Sequence, residues 1–508
     1  MRANRVRRVR PGRTAAFLGA LAVLLCACGR ESAEAMNRNG VDSSAEVQEG
    51  SEKTGSEGEQ SRQEEPESAK EGTFGEAVAL AAGVTEEMLR PEFWMEETAG
   101  TVIMSQAQIQ EFNRKTLERF SEAEVMYDLA GLPETCTRDF VKHFIRAAYL
   151  PGKNSYLDGE RLTDQYRNQL AKSRNLGNVP KEAKVRYGIA VERASIRAFP
   201  TEDVITGDSG NLYYDELQHS ELLVSEPVVI FHTSLDGQWY FGLSNRSFGW
   251  FRADAVALCP EREQWLEWQK EEDILVVTGK RVVLDRNPYD PDTVGTSLTM
   301  GTVLQLAKEE ELAEVDFGRT PYGCYAVKLP LRDGEGNLAC TYAYLPIGED
   351  VSVGYVTYTQ ENLLKLIFKM MGTTYGWGGI NGVTDCSGYV YQVYRCFGFK
   401  LPRNSSQQAS IPCRRYDVSG MDAADKRAVL DGLPPGSLLR FPGHIMFYLG
   451  ERGGKYYVIS ALSNFVPEDA ADEEVVYPRS VMINTLEVRR ANLTTWLENL
   501  TTACVIDG

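Results

Sequence analysis

Short apolar segments separated by turn residues fill the middle of the chain, and this texture restricts residues 184–357 to small antiparallel β domains. Asp236-Gly237 stands between two of these segments and is typical of a hairpin turn. The segments form two consecutive units, residues 184–262 and 272–357. We therefore expect two β-barrels in tandem.

The regions on either side of these β units have different patterns. Residues 74–183 show helical spacing, with a predicted N-cap at Ser105 and a second helix over residues 140–150, so we expect a helical module there. Residues 358–508 mix helical and strand patterns, which predicts an α+β domain and a multidomain chain overall. The predicted elements of this domain are helices over residues 361–371 and 386–397 and strands over residues 437–441, 444–449 and 456–460.

The first 27 residues are typical of an export signal. They carry six arginines and no acidic residue, and they include an apolar stretch from Ala15 to Leu25 that is too short to span a bilayer comfortably. The sequence Leu25-Cys26-Ala27-Cys28-Gly29 resembles the bacterial lipobox, which implies a lipid on Cys28 that anchors the protein to the cell envelope membrane. An uncleaved N-terminal anchor is the alternative, and either reading places most of the chain outside the cytoplasmic membrane.

Residues 28–73 are rich in Glu, Ser, Gly and Gln and contain no aromatic residue. Such a segment buries too little apolar surface to offset the entropy lost on ordering, so we expect a disordered acidic tether. The formal net charge of the whole chain is −18. Because an acidic surface repels phosphate backbones, the composition argues against nucleic acid as a partner.

The candidate chemistry centres on Cys386, which follows a loop rich in Gly and Thr and opens a predicted helix. A thiol at a helix N-terminus lies at the positive end of the macrodipole, which favours the thiolate and lowers the thiol pKa. Backbone N–H groups at the same helix end can stabilise an oxyanion. The base is expected to be His444, the only histidine after Cys386. On this pattern alone, an inert Cys/His pair is the alternative.

The remaining histidines are scattered, and no Cys/His spacing typical of a metal site is present. We therefore expect neither a metal nor another cofactor. Apart from Cys26 and Cys28, the chain has eight cysteines at irregular spacing, and this spacing leaves their pairing open.

Five sequence blocks stand out in the C-terminal region, residues 358–508. They are Tyr375-Gly376-Trp377-Gly378-Gly379, Asp385-Cys386-Ser387-Gly388, Leu401-Pro402-Arg403-Asn404-Ser405-Ser406-Gln407-Gln408, Pro435-Gly436-Ser437-Leu438-Leu439 and Gly443-His444-Ile445-Met446-Phe447-Tyr448-Leu449-Gly450. In this order and at this spacing, the region resembles the NlpC-type cysteine peptidases, a papain-like family. The resemblance implies cofactor-free hydrolysis of the γ-D-glutamyl to diamino-acid bond in peptidoglycan stem peptides, in cell-wall turnover or recycling.

The resemblance also implies the catalytic roles. Cys386 would attack the carbonyl, and His444 would take the thiol proton and later protonate the leaving amine. The family's third position, usually a second histidine, orients the base and is here Ser460, with Asn464 as the alternative. A hydroxyl polarises the imidazole less than a stronger partner, so a triad with Ser460, a working dyad and reduced activity all stay open.

The same resemblance identifies residues on the substrate side. Asp385 is expected to contact a free substrate amine, to cap the cysteine helix, or to do both. Tyr375 matches a position that supports the oxyanion site, and Trp377 matches a wall of the substrate groove, with a core aromatic as the alternative. Ser387 belongs to the cysteine motif and is expected to contact substrate, and Arg403 is expected to brace its loop.

The first β unit contains the segments Phe199-Pro200-Thr201, His232-Thr233-Ser234, Asp236-Gly237-Gln238-Trp239 and Gly249-Trp250. Through these segments the two β units are similar to the paired bacterial SH3-like domains found in one branch of that family. The residues near 95–120 resemble the N-terminal module of the same branch. There the first barrel lines the active-site cleft and helps to select short fragments. Asp215, Gln218 and Trp239 are the candidates for this role, with ordinary surface loop residues as the alternative.

Two classes of function follow from the sequence. The first is an enzyme, a γ-D-glutamyl-L-diamino-acid endopeptidase or an amidase or acyltransferase that uses the same Cys–His pair. The second is a non-catalytic wall-binding lipoprotein with a decayed peptidase domain. The intact Cys386 and His444 favour the first class, whereas Ser460 leaves the second open. The sequence leaves open the preferred diamino acid, the choice between intact wall and released fragments, and the oligomeric state.

Overall fold

The computed structural model describes residues 74–507, with gaps at residues 76–77, 286–287, 290–292, 294, 313–317, 319 and 471–473. The predicted export signal, the lipidation site Cys28 and the predicted tether over residues 28–73 lie outside the described residues. Within the described part of the chain, no helix is long and apolar enough to cross a membrane.

Helices and short strands alternate between residues 74 and 184, and local capping signals set their boundaries. The N-cap at Ser105 is confirmed, since its hydroxyl accepts the Gln108 N–H and the Gln108 side chain accepts the Ser105 N–H. The helix predicted over residues 140–150 begins earlier, because the Thr137 hydroxyl caps it. The elements are β1 (Phe74–Gly75), β2 (Val78–Ala79), β3 (Val102–Met104), α1 (Gln106–Ser121), β4 (Thr135–Thr137), α2 (Arg138–Ala147), β5 (Tyr156–Leu157), β6 (Glu160–Arg161), α3 (Asp164–Ser173) and β7 (Glu182–Lys184), with 3-10 turns at Glu86–Leu89, Pro91–Trp94 and Leu176–Asn178.

The apolar faces of these helices join the cores of the neighbouring regions. Helix α1 packs on the C-terminal region, where the rings of Phe112 and Phe399 lie 5.2 Å apart. Strand β3 pairs with Tyr358–Thr359 of the same region. Helix α2 packs on the first β unit, where Phe144 lies 5.2 Å from Phe248. Periodicity predicted amphipathic faces here, but it carried no information on the partners that cover them.

The first β unit is built on one antiparallel sheet. Its strands are β8 (Arg186–Ala190), β9 (Ala194–Arg197), β10 (Ile205–Thr206), β11 (Gln218–Leu222), β12 (Pro227–Thr233), β13 (Trp239–Leu243), β14 (Phe248–Arg252) and β15 (Val256–Cys259). The sheet order is β11-β9-β14-β13-β12-β8-β15, while β10 pairs with β5. The hairpin predicted at Asp236-Gly237 is confirmed, since it joins β12 to β13 and Gly237 takes a φ of +78° that favours glycine.

The second β unit divides its strands among small sheets around one apolar cluster. Helix α4 (Arg262–Trp268) precedes this unit and packs on the core of the first one. The elements of the second unit are β16 (Ile274–Val277), β17 (Arg281–Val283), β18 (Ser297–Thr299), β19 (Val303–Gln305), α5 (Glu309–Leu312), β20 (Cys324–Arg332), β21 (Leu338–Pro346) and β22 (Val351–Val353). The pairings are β19-β16-β22, β17-β18 and β20-β21. Sequence alternation predicted strands here, but their division among sheets depends on contacts between residues distant in the chain.

The C-terminal region is an α+β domain in which a buried helix packs on a sheet. Its elements are β23 (Tyr358–Thr359), α6 (Gln360–Lys369), a 3-10 turn at Trp377–Gly382, α7 (Cys386–Arg395), α8 (Ser405–Gln408), β24 (Arg414–Asp417), α9 (Ala423–Asp431), β25 (Leu438–Phe441), β26 (His444–Arg452), β27 (Lys455–Leu462), β28 (Ser480–Thr485), α10 (Trp496–Asn499) and β29 (Thr502–Val505). The sheet order is β24-β29-β25-β26-β27-β28. Helix α7 contacts β26 through Tyr389 and Phe447, whose rings lie 5.2 Å apart. The predicted strands of this region are confirmed with small shifts at their ends.

The cysteines that the structure describes, from Cys136 to Cys504, are free thiols. Strands β24 and β29 bring the thiols of Cys413 and Cys504 within hydrogen-bonding distance of each other. The Cys504 sulfur also faces the Ala409 carbonyl oxygen at 3.5 Å. The nucleophile candidate Cys386 has no such thiol neighbour among the described residues.

A buried ion pair in the first β unit gives a stability prediction. Asp215→Asn removes the carboxylate charge 2.7 Å from the Arg197 guanidinium, where both side chains are buried. The guanidinium would stay buried without its counter-charge, so we expect the free energy of unfolding to fall by about 3–5 kcal/mol. The control Asp254→Asn breaks an exposed pair with Arg252 and is expected to cost less than about 1 kcal/mol. Urea unfolding measures both variants, and equal losses would contradict the prediction.

Candidate active site

Cys386 is the first residue of α7, and Asp385 sets the start of that helix. The Asp385 carboxylate accepts the backbone N–H of Gly388 at 2.7 Å, which is an N-cap. The preceding turn needs glycine, because Gly378 and Gly379 have φ of +67° and +83°. The cap and the turn together fix the thiol at the N-terminal end of a buried helix.

His444 opens β26, and its imidazole is held by Ser460 on the neighbouring strand β27. The Nε2 atom of His444 lies 3.0 Å from the Ser460 hydroxyl oxygen, which leaves Nδ1 as the nitrogen that can serve a nucleophile. The imidazole ring also packs against Phe441 and Trp496, with ring centroids 5.4 Å and 5.1 Å away. Asn464 follows the end of β27 and makes no hydrogen bond to His444 in the described part of the chain.

The N-terminus of α7 meets the start of β26, so the structure brings the cysteine and histidine elements together. The Cys386 sulfur contacts the backbone N–H of Ile445, the residue after His444, and the N–H of Ser387 in its own helix. Ser460 is fully buried and lies one strand further along the sheet. The order from helix to sheet is therefore Cys386, His444 and Ser460.

Burial decides the protonation of the two central groups. It raises the pKa of the Cys386 thiol to about 12, with the Asp385 charge adding to the shift and the Ile445 N–H opposing it. Burial also lowers the pKa of His444 to about 3, helped by the positive charge of Arg490. The expectation of a lowered thiol pKa was therefore wrong, because desolvation outweighs the helix end. At neutral pH the pair rests as a thiol and a neutral imidazole.

A buried network stabilises the start of α7. Arg403 donates to the Asp385 carboxylate at 2.6 Å and 3.2 Å and to the Ser387 hydroxyl at 2.8 Å. Burial opposes ionisation of Asp385, but Arg403 and the N–H groups of Gly388 and Gly378 outweigh it and hold the carboxyl pKa below its usual value. The bracing role predicted for Arg403 is confirmed. The carboxylate is engaged within the protein, and the structure places Asp385 in the capping role.

Tyr375 and Trp377 flank the loop that leads to Cys386. Tyr375 is buried, and this burial raises the pKa of its phenol well above the ordinary value, with the thiolate form of Cys386 acting in the same direction. Trp377 lies against the first β unit. Its backbone N–H donates to the Tyr213 carbonyl at 3.0 Å, and its ring lies 4.7 Å from that of Tyr214. Tyr375 therefore lies near the thiol, whereas the recorded contacts of Trp377 are with the first β unit.

Of the candidates in the first β unit, Asp215, Gln218 and Trp239, the structure brings only Gln218 to this loop. The side-chain amide of Gln218 donates to the Gly378 carbonyl at 3.0 Å. The backbone carbonyl of Gln218 accepts the Trp377 indole N–H at 3.1 Å. The Asp215 carboxylate instead forms a buried ion pair with Arg197. Trp239 is buried in the core of the β unit. The last two residues are structural because their side chains face inward.

Further contacts join the first β unit to the loop before Cys386, residues 372–384, which we call the cysteine loop. These contacts had no signal in the sequence. Arg193 pairs with Glu221 and donates to the carbonyls of Gly382 and Val383. The Glu221 carboxylate also accepts the side-chain amide of Gln392 in α7 at 3.2 Å. The contacts of Arg193 with Gly382 and of Glu221 with Gln392 join residues 189 and 171 positions apart, so neither local spacing nor composition could have identified them.

The described residues contain no group of His, Cys, Asp and Glu side chains arranged to hold a metal ion. A cysteine at a helix end beside a sheet that carries a hydrogen-bonded histidine is the arrangement of Cys–His acyl-transfer sites.

Comparison with known proteins agrees with this class. Residues 372–483 match the NlpC/P60 family, and residues 206–252 match an SH3 domain of the SH3b1 type. The chain therefore contains an NlpC/P60 domain, which includes Cys386, His444 and Ser460, and an SH3b-type domain in its first β unit.

Named relatives and a solved structure extend the comparison. The chain is 31% identical over 106 residues to the γ-D-glutamyl-L-lysine dipeptidyl-peptidase of Bacillus subtilis (strain 168), which covers 19% of this chain and 31% of that protein. It is 28% identical over 129 residues to dipeptidyl-peptidase 6 of Lysinibacillus sphaericus, which covers 25% of this chain and 42% of that protein. The chain thus spans less than half the length of either relative.

An NlpC/P60 endopeptidase from Photobacterium damselae subsp. piscicida has a similar fold, with a TM-score of 0.65 at 18% identity. The match covers 82% of this chain and 96% of that chain. The shared fold therefore extends well beyond the NlpC/P60 domain, into the β units and the N-terminal region.

The raised thiol pKa predicts how Cys386 reacts with iodoacetamide. Because the thiolate is scarce at neutral pH, we expect the alkylation rate of Cys386 to rise about tenfold per pH unit between pH 6 and 9. Mass spectrometry of the peptide that contains Cys386 measures this rate, with Cys386→Ala as the blank. A rate independent of pH between pH 5 and 8 would indicate a thiolate–imidazolium pair and contradict the neutral resting state.

Proposed function

We propose that the chain is a cysteine peptidase that hydrolyses peptides of the bacterial cell wall, with Cys386 as nucleophile and His444 as base. The observation that carries the proposal is the contact of the Cys386 sulfur with the Ile445 N–H, beside an imidazole bonded to Ser460 at 3.0 Å. The NlpC/P60 domain and the peptidase names of the relatives support the same class.

The first chemical step is attack of the Cys386 sulfur on the scissile carbonyl carbon. Because both groups rest neutral, Nδ1 of His444 takes the thiol proton as the C–S bond forms. Negative charge develops on the carbonyl oxygen, where the N–H groups at the start of α7 and the Tyr375 hydroxyl are the proposed donors. The bond from Nε2 to Ser460 keeps the imidazole oriented while it carries the proton.

The second half of the reaction releases the two products. The imidazolium of His444 donates its proton to the leaving amine, and a thioester remains on Cys386. Water then attacks the thioester with His444 as the base, and collapse of that intermediate returns the proton to the sulfur. The neutral thiol and imidazole are restored.

The bond that we propose as the target joins γ-D-glutamate to a diamino acid. The Bacillus relative is named for the γ-D-glutamyl-L-lysine linkage. The similarity between the two proteins covers 19% of this chain. A wall-peptide substrate places the activity in the cell envelope, where the proposed lipid on Cys28 would hold the protein at the membrane.

The first β unit is proposed to restrict the enzyme to short peptides. Tyr214 and Gln218 cover the loop at Trp377, so a long chain has less room to cross there. Tyr375 and Trp377 are the proposed substrate contacts. Asp385 and Ser387 are proposed as positioning residues, because Arg403 and the helix N-cap already occupy their polar atoms, and a contact between Asp385 and the substrate amine stays a prediction.

The activity test is cleavage of L-Ala-γ-D-Glu-L-Lys and of the corresponding diaminopimelate peptide, followed by mass spectrometry. We expect Cys386→Ala to reduce cleavage by about 10⁴-fold or more, while Cys340→Ala, at an exposed thiol, leaves it unchanged. N-acetylated versions of both peptides test whether a free amine is needed. Binding without cleavage by the wild-type protein would favour the non-catalytic wall-binding alternative. Cleavage of a different bond in these peptides would favour an amidase.

The Ser460 hydroxyl gives a second prediction. Ser460→Ala leaves a buried imidazole nitrogen without its partner, at a cost of about 1–3 kcal/mol. We therefore expect kcat to fall by about tenfold or more, with KM little changed. Ser463→Ala, on a partly buried serine just beyond β27, is the matched control. An unchanged kcat in Ser460→Ala would show that the enzyme works as a Cys–His dyad.

A further inference from the structure

A cavity of about 270 Å³ lies where the two β units meet the NlpC/P60 domain. The first β unit contributes Arg193 to its lining, and the second contributes Lys280 and Arg281. The NlpC/P60 domain contributes Thr373 and Thr384, among others. Cys386 is not part of this lining, so the cavity is separate from the candidate nucleophile.

Positive charge is concentrated around the cavity. The guanidinium groups of Arg193 and Arg281 both donate to the same carbonyl oxygen, that of Gly382. Glu221 balances Arg193, but Lys280 and Arg281 have no carboxylate partner among the described residues. Like charges are thus held together in a chain whose formal net charge is −18, an arrangement that an anion would relieve.

We propose that this cavity binds a small oxyanion, a carboxylate or a phosphate, through Lys280 and Arg281. Guanidinium groups bind the paired oxygens of such anions with two parallel hydrogen bonds, and lysine adds a compact charge. The volume accommodates an anion of a few heavy atoms together with water. This site does not depend on the proposed peptidase activity.

The site has a direct connection to the cysteine loop. Arg193 and Arg281 bind the carbonyls of Gly382 and Val383, just before Asp385 and Cys386. An anion that draws these guanidinium groups together would fix the two β units against this loop. The bound state is therefore expected to be more resistant to thermal unfolding.

The test is titration of the full-length protein with inorganic phosphate and, separately, with succinate, at constant ionic strength maintained with chloride. Isothermal calorimetry measures the affinity, and thermal unfolding measures stabilisation. The arms distinguish the source, since a phosphate site responds mainly to the first anion and a carboxylate site mainly to the second. The variant is Lys280→Gln combined with Arg281→Gln. Lys181→Gln with Arg415→Gln is the control, because it removes the same charge at exposed positions outside the cavity.

We expect saturable binding of at least one anion by the wild-type protein and by the control. The Lys280/Arg281 variant is expected to bind at least tenfold more weakly. This variant alters exposed side chains, so its fold is expected to remain intact, as its unfolding midpoint without anion will show. The absence of saturable binding in the wild type, or equal affinities in the variant and the control, would overturn the proposal.

Discussion

The candidate site depends on one buried ion pair, that of Asp385 with Arg403. The carboxylate caps α7 and also accepts the backbone N–H of Gly378, while the guanidinium reaches the Ser220 hydroxyl of the first β unit at 3.1 Å. A single pair of charges therefore ties together the cysteine helix, the turn before it and the neighbouring β unit. Buried pairs of this kind position groups more than they stabilise the fold.

The environment of the thiol has two opposing effects. Backbone N–H groups and Arg403 favour the thiolate of Cys386, whereas burial and the Asp385 charge favour the thiol, and the latter two prevail. Burial acts in the same direction on His444, whose neutral form is favoured. The resting site is therefore uncharged at both reacting groups. Charge separation develops only when a substrate carbonyl is present to accept the sulfur.

The sequence predicted those parts of the structure whose signals are local. The cap at Asp385 and the strand that starts at His444 depend on residues a few positions away, and both occur as expected. The contact with Ser460 follows from adjacent antiparallel strands, in which residues one diagonal apart share a face. The thiol pKa was mispredicted because burial of Cys386 depends on segments distant in the chain. The pairing of Arg193 with the loop before the nucleophile was missed for the same reason.

The N-terminal region has a consequence for how this architecture can be rearranged in evolution. Strand β3 pairs with β23, and Phe112 and Phe144 fill the cores of two different neighbours. A gene fusion that took only the NlpC/P60 domain would expose apolar surface that α1 now covers. The segments before and after the β units are thus expected to be inherited together. The same contacts join residues that are distant in the chain. Because long loops must close before the last domain is complete, folding is expected to be slow.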